Sequence, residues 1–206
     1  MTTPKLISDK LLLREIKSND IFGYYEIVSD AETMQQFGGP TVENDLERKD
    51  TVMRMKVERE QNISYFWTIT LRGEKEFIGF IRMFSYNSNY YDLSFSAMGE
   101  QRFNEDFLKE IDRNNGWEID YALLKNHRNK GIMKEALSLV LDFCSENNIS
   151  PVYAKINSLK NQPSEKVLVA NSFKRLMPLM DLSVLERPDI DTIIQNKDYG
   201  MMYVKY

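Results

Sequence analysis

The residues best suited to chemistry stand in one stretch, HRNKGIMKEAL, from His127 to Leu137. A glycine, Gly131, sits where a strand-like run gives way to a helix-like one. Two cations, Arg128 and Lys130, come just before it. Those residue types in that order suit a phosphate. The first N–H groups of a helix have no intrahelical partner and carry the positive end of its dipole. An anion placed there accepts them. Glycine lets the backbone approach closely, and arginine and lysine add charge-assisted contacts. The same pattern also fits an ordinary basic loop. It is neither the GxxxxGK[ST] phosphate loop nor the GxGxxG dinucleotide fingerprint.

Two carboxylates precede this loop. Glu118 and Asp120 lie in the run WEIDYALL, two residues apart, and so share one face of a regular strand. Paired acids suit the binding of a cationic amine. Cys144 and His127 are the single cysteine and the single histidine. With one of each, neither a zinc site nor a nucleophilic triad assembles, so no metal is expected. Cys144 falls on an apolar helix face and reads as core. His127 reads as an exposed loop residue.

The elements that must position these groups follow from the periodicities. KLLLREI, from Lys10 to Ile16, is a strand, and Ser18-Asn19-Asp20 starts a helix carrying Tyr24, Ile27 and Val28. Phe37-Gly38-Gly39-Pro40 breaks the chain, and residues 44–60 read as a further helix. Tyr65 to Leu71, a turn at Arg72 to Lys75, and Phe77 to Phe84 predict a β-hairpin. Trp117 to Leu124 is the strand before the basic loop. After Gly131, the residues Met133, Ala136, Leu137, Val140, Leu141 and Cys144 form a clean amphipathic stripe. Pro151 to Ile156 is a strand and Ser164 to Ala170 a short helix. The segments from Phe173 and from Tyr199 to Tyr206 read as closing strands. The alternation predicts an α/β or α+β sheet covered by helices.

Taken in order, these segments resemble the GNAT superfamily of acetyltransferases, particularly the branch of ribosomal-protein alanine N-acetyltransferases. KLLLREIKSND, SDAETMQQFGG, WTITLRGEKEFIGFIRMF and WEIDYALLKNHRNKGIMKEAL carry the likeness, which covers most of the chain. The family pattern of Arg or Gln, two residues, Gly, one residue, then Gly or Ala falls on Arg128, Gly131 and Met133. Asn161-Gln162-Pro163-Ser164, followed by Val169-Ala170-Asn171-Ser172-Phe173, is similar to the family's NxxS…GF segment.

The resemblance implies a central mixed, mostly antiparallel sheet with a splayed strand pair and helices on both faces. It implies acetyl-CoA as cosubstrate. The pantetheine would pair with the strand backbone at Tyr121, Ala122 and Leu123. The pyrophosphate would sit on N–H groups of Asn129, Lys130, Gly131, Ile132, Met133 and Lys134, beside Arg128. It implies direct transfer of acetyl to a primary amine, on a protein N-terminus or a small molecule. Glu118 falls where the family often places its base. Asp120 would help bind the amine. Ser164 would contact the departing sulfur or cap the short helix, and Asn161 would hydrogen-bond the cofactor or the fold. Three positions depart from the pattern. Met133 replaces a small residue, Ser172 replaces the glycine of GF, and Leu168 stands where many relatives carry a tyrosine. Ser172 would be strained if its site requires positive φ.

The whole chain sets the frame. It has 206 residues, a length expected for a single domain, here with an elaborated connection at about 85–116. Charged residues make up 28% and the net charge is −4, which argues against a nucleic-acid partner. No basic segment followed by an apolar run opens the chain, and no apolar window is long enough for a membrane span. With its one cysteine, the chain is expected in the cytoplasm, without a membrane or nucleic-acid partner and with a homodimer as a family-based prior. Two other readings stay open: a non-catalytic acyl-CoA-binding sensor, and an unrelated phosphate-binding α/β domain.

Overall fold

The computed structural model describes residues 2–37, 41–42, 44, 64–85, 116–179, 192, 195–196 and 200–206. The expected helix over 44–60 and the elaborated connection at about 85–116 lie outside them, except for Asn44, Ser85 and Gly116. The chain forms two compact units, Met1–Phe84 with Ile119–Asn148, and Ser85–Glu118 with Ile149–Tyr206.

In the first unit, strands β1 (Leu6–Ile7), β2 (Leu11–Glu15), β3 (Ser64–Leu71), β4 (Gly79–Ser85) and β5 (Trp117–Leu123) lie in that order. The strand β5 begins two residues before this unit does. β1, β2, β3 and β4 pair antiparallel, with Leu13 opposite Ile69 and Trp67 opposite Ile81. β4 and β5 also run oppositely. Leu124 donates its N–H to the Ile78 carbonyl at 3.0 Å, while Arg82 meets Asp120 further along. A Cβ on Gly79 would lie 2.5 Å from the Ala122 carbonyl oxygen, so glycine there lets β5 close against β4.

β3 is buried along almost its whole length, because both of its faces are covered. On one face Phe66, Phe80 and Ala122 pack with Tyr24, Ile27 and Met34. Those last three come from helices α1 (Ile21–Val28) and α2 (Ala31–Phe37). On the other face Tyr65 and Trp67 meet Phe143, and Met83 meets Cys144. Both partners belong to helix α3 (Ile132–Glu146). The six stripe positions read from the sequence are the six buried residues of α3. Burial of each large aliphatic side chain contributes about 1.5–3 kcal/mol.

The entry to α1 is fixed by a buried ion pair. Arg14 donates to both oxygens of Asp20, at 2.6 and 3.0 Å, and the Lys17 N–H and Thr68 hydroxyl donate to the same carboxylate. Burial opposes the Asp20 charge. The guanidinium, the amide and the hydroxyl outweigh that effect and hold its carboxyl below the ordinary range.

In the second unit β6 (Val152–Ile156) and β7 (Lys174–Leu179) flank β8 (Gly200–Lys205), each antiparallel to it. Tyr153 and Tyr203 are among its fully buried side chains. Helix α4 (Gln162–Ala170) buries Leu168. Among the described residues no helix is long and apolar enough to cross a membrane.

Candidate active site

β5 ends at Leu123, and a 3-10 turn over Lys125–His127 leads to two left-handed residues, Asn129 at φ 60° and Gly131 at φ 75°. Asparagine tolerates that conformation and glycine adopts it without cost. Gly131 is the N-cap of α3 and has no side chain with which to cap it. The Glu135 N–H bonds to the Gly131 carbonyl at 3.2 Å, so the N–H groups of Ile132, Met133 and Lys134 precede any intrahelical acceptor. A Cβ on Gly131 would meet nothing within 4 Å. The loop thus faces open space there, with Lys130 exposed beside it. Such a turn can seat an anion. Met133 points into the core at 6% exposure, away from that space.

The loop's other cations are engaged by the protein. Arg128 donates from Nε to the Leu123 carbonyl at 3.0 Å and from an NH2 nitrogen to Thr33 Oγ1 at 2.7 Å. Lys125 reaches Asp30 at 2.7 Å and Glu32 at 3.1 Å. Asp30 caps α2 by accepting the Thr33 N–H at 2.9 Å. Lys125 first, and Thr33 next, hold the Asp30 carboxyl down to about 2. His127 is half-buried. Of the strand residues Tyr121, Ala122 and Leu123, Ala122 and Leu123 are buried and Tyr121 is half-buried.

Each of the two expected acids has a cation of its own. Glu118, 5% exposed, pairs with Lys155 of β6 at 3.1 Å. Asp120 accepts three contacts from Arg82, at 3.3 and 3.1 Å from Nε and at 2.6 Å from Nη2. The Arg82 guanidinium lies 3.8 Å from the Phe84 ring centroid. Neither Arg82 nor Lys155 was singled out from the sequence. Both carried a signal, a lone cation inside an apolar strand, in FIGFIRMF and in PVYAKI.

At α4 the Asn161 side chain accepts the Ser164 N–H at 3.3 Å, with Pro163 in the first turn. Asn161 is therefore the cap, and Ser164 is the third helical residue. Ser172 does stand at φ 65°. Tyr203 donates to Glu165 at 2.7 Å, and Arg175 pairs with the same carboxylate. Burial first, and Glu165 next, push the Tyr203 phenol up to about 12, so it stays a donor. Cys144 is buried, which pushes its thiol up to about 12. Among the described residues no group of three His, Cys, Asp or Glu could hold a metal ion.

The family model of the GNAT acetyltransferase domain matches residues 10–174. Solved structures share the fold. A GNAT-family acetyltransferase from Bacillus anthracis is 17% identical, with 98% of each chain covered and a TM-score of 0.63. The ribosomal-protein-S5-alanine acetyltransferase from Vibrio fischeri is 16% identical, over 98% of this chain and 96% of its own, at a TM-score of 0.64. The spermidine N-acetyltransferase from Vibrio cholerae, in complex with CoA and spermine, is 11% identical over 96% of each chain, at 0.66. No curated protein matches the chain in sequence.

Proposed function

The chain belongs to the GNAT acetyltransferase family, and from that premise we propose that it moves the acetyl group of acetyl-CoA directly onto a primary amine. One observation carries the cofactor reading. The strand β5 leads through a left-handed Gly131, an N-cap with no side chain to offer, into a long helix, with open space beside that glycine. The pyrophosphate is assigned to N–H groups between Asn129 and Lys134, with Lys130 adding charge. The pantetheine is assigned to the β5 backbone. Leu123 already has its carbonyl bonded to Arg128, so the pairing falls mainly on Tyr121 and Ala122.

In the reaction the amine nitrogen forms the C–N bond, the C–S bond breaks, and CoA leaves as a thiolate. The amine must lose a proton. We assign that proton to Glu118, whose buried pairing with Lys155 fixes its position. Asp120, held by Arg82 from two nitrogens, contributes a fixed carboxylate suited to binding a cationic amine. Ser164 is assigned to the departing sulfur. Asn161, by capping α4, sets where Ser164 stands.

A protein N-terminus and a polyamine-like or antibiotic-like amine are both within this chemistry. The Vibrio cholerae relative with spermine and the aminoglycoside acetyltransferase in complex with ribostamycin and CoA support the small-molecule arm. The Vibrio fischeri relative supports the protein arm. The family match spans parts of both units, which supports reading the chain as one acetyltransferase domain. A cytoplasmic location suits a protein using acetyl-CoA and carrying one buried thiol.

Calorimetry with acetyl-CoA, CoA and ATP tests the cofactor. Saturable binding of the first two and none of ATP is expected, followed by thiol release with at least one member of an amine panel. Preference for ATP would overturn the reading. Binding without turnover on any amine would favour a non-catalytic acyl-CoA sensor.

A further inference from the structure

By charge alone, Arg128 is the natural phosphate ligand of the glycine loop. Its guanidinium is directed elsewhere. Nε donates to the Leu123 carbonyl at the end of β5, and an NH2 nitrogen donates to Thr33 Oγ1 in the first turn of α2. The Thr33 hydroxyl passes the chain on by donating to Asp30 Oδ2. Asp30 Oδ1 closes it by taking Lys125 at 2.7 Å. A continuous run of hydrogen bonds therefore leaves the loop at Arg128, crosses Thr33 and Asp30, and returns at Lys125.

Four physical features make this run a brace. A hydroxyl that accepts from a guanidinium and donates to a carboxylate is polarised in one sense, so its bonds strengthen each other. Thr33 is 6% exposed, so water competes poorly for it. A cavity of about 110 Å3, with Ile27 and Leu124 on its walls, lies alongside. Hydrogen bonds, more than close packing, hold the guanidinium there. The planar fork matters, because it holds its N–H donors in fixed directions, which a rotatable ammonium does not.

We propose that Arg128 and Thr33 are positioning residues for the acetyl-CoA loop. They fix the path of residues 124–131 and leave the phosphate contacts to backbone N–H groups and Lys130. This rests on the acetyl-CoA reading above.

The test is acetyl-CoA binding by calorimetry for wild type, Thr33→Val, Thr33→Ser, Arg128→Lys and the Thr33→Val/Arg128→Lys double variant. Arg128→Gln and Lys130→Gln are added at several salt concentrations. Thr33→Val is expected to weaken binding about five- to tenfold, the scale of one typical hydrogen bond. Thr33→Ser, which keeps the hydroxyl, should bind within about twofold of wild type. The double variant should be no weaker than the weaker single one, as for two members of one unit. Arg128→Gln should keep the salt dependence of wild type, and Lys130→Gln should flatten it.

Wild-type binding with an indifferent Thr33→Val would overturn the brace alone. So would additive losses in the double variant, or a flattened salt dependence in Arg128→Gln. A wild-type protein that binds no acetyl-CoA would overturn the cofactor reading and the loop's role with it.

Discussion

Two helices of this protein begin in opposite ways. α4 starts at Asn161, whose side chain accepts a first-turn N–H, and Pro163 fits a position where no N–H is needed. Everything about that start is satisfied from within. α3 starts at a left-handed glycine with no side-chain cap, and open space lies before it. A helix capped by its own side chain has that N–H already satisfied. A helix start left open has room for an anion. The difference is visible in two residues, Asn161 and Gly131.

The comparison breaks most sharply at Gly131. Gly131→Glu places a carboxylate where phosphate is assigned and a side chain where φ is 75°. Acetyl-CoA affinity should fall about a hundredfold or more, by calorimetry, from charge repulsion together with the strain of the left-handed conformation. Retained affinity would mean that the open start of α3 is not the phosphate seat.

Glu118→Gln comes next. It keeps the shape and removes the proton acceptor, so kcat should fall about a hundredfold, the lower end of general-base effects, with acetyl-CoA affinity unchanged. Equal losses in affinity and kcat would instead mark a structural role for its pairing with Lys155.

At the closed start, Asn161→Ala should cost about 1 kcal/mol of stability, read as a drop of about 2–4 °C in thermal unfolding. Turnover should fall as well where the variant is still folded, and unchanged turnover there would remove Asn161 and Ser164 from the reaction.

The smallest effect is expected at Ser172, held at φ 65°. Ser172→Gly should stabilise the fold by about 0.5–1 kcal/mol through relief of that conformation. Destabilisation instead would show that the hydroxyl contributes more than the strain costs.

Local pattern carried much of this into view. The stripe of α3 from Met133 to Cys144 was legible because helical spacing repeats every three or four residues. The hairpin of β3 and β4 was legible from its aromatic and β-branched runs around Gly73. α2 escaped notice as an element. Its cap at Asp30 was present in the sequence, but seven residues give too few turns for a stripe. The pairings Arg82–Asp120, Lys155–Glu118 and Arg128–Thr33 were also hidden. They join residues 38, 37 and 95 positions apart, and no local period encodes such a distance. The sequence could mark Arg128 as a cation near a glycine, and only the fold decides where the guanidinium points.

The buried thiol of Cys144 has a practical consequence. The reaction assigned here liberates one CoA thiol for each acetyl moved. Cys144 is the chain's single cysteine, 2% exposed, and burial keeps it in the unreactive protonated form at neutral pH. A disulfide dye that reports free thiols should therefore read turnover against a silent background from the folded protein. In denaturant the same dye should count one equivalent per chain, which makes this side chain an internal standard for both enzyme concentration and foldedness.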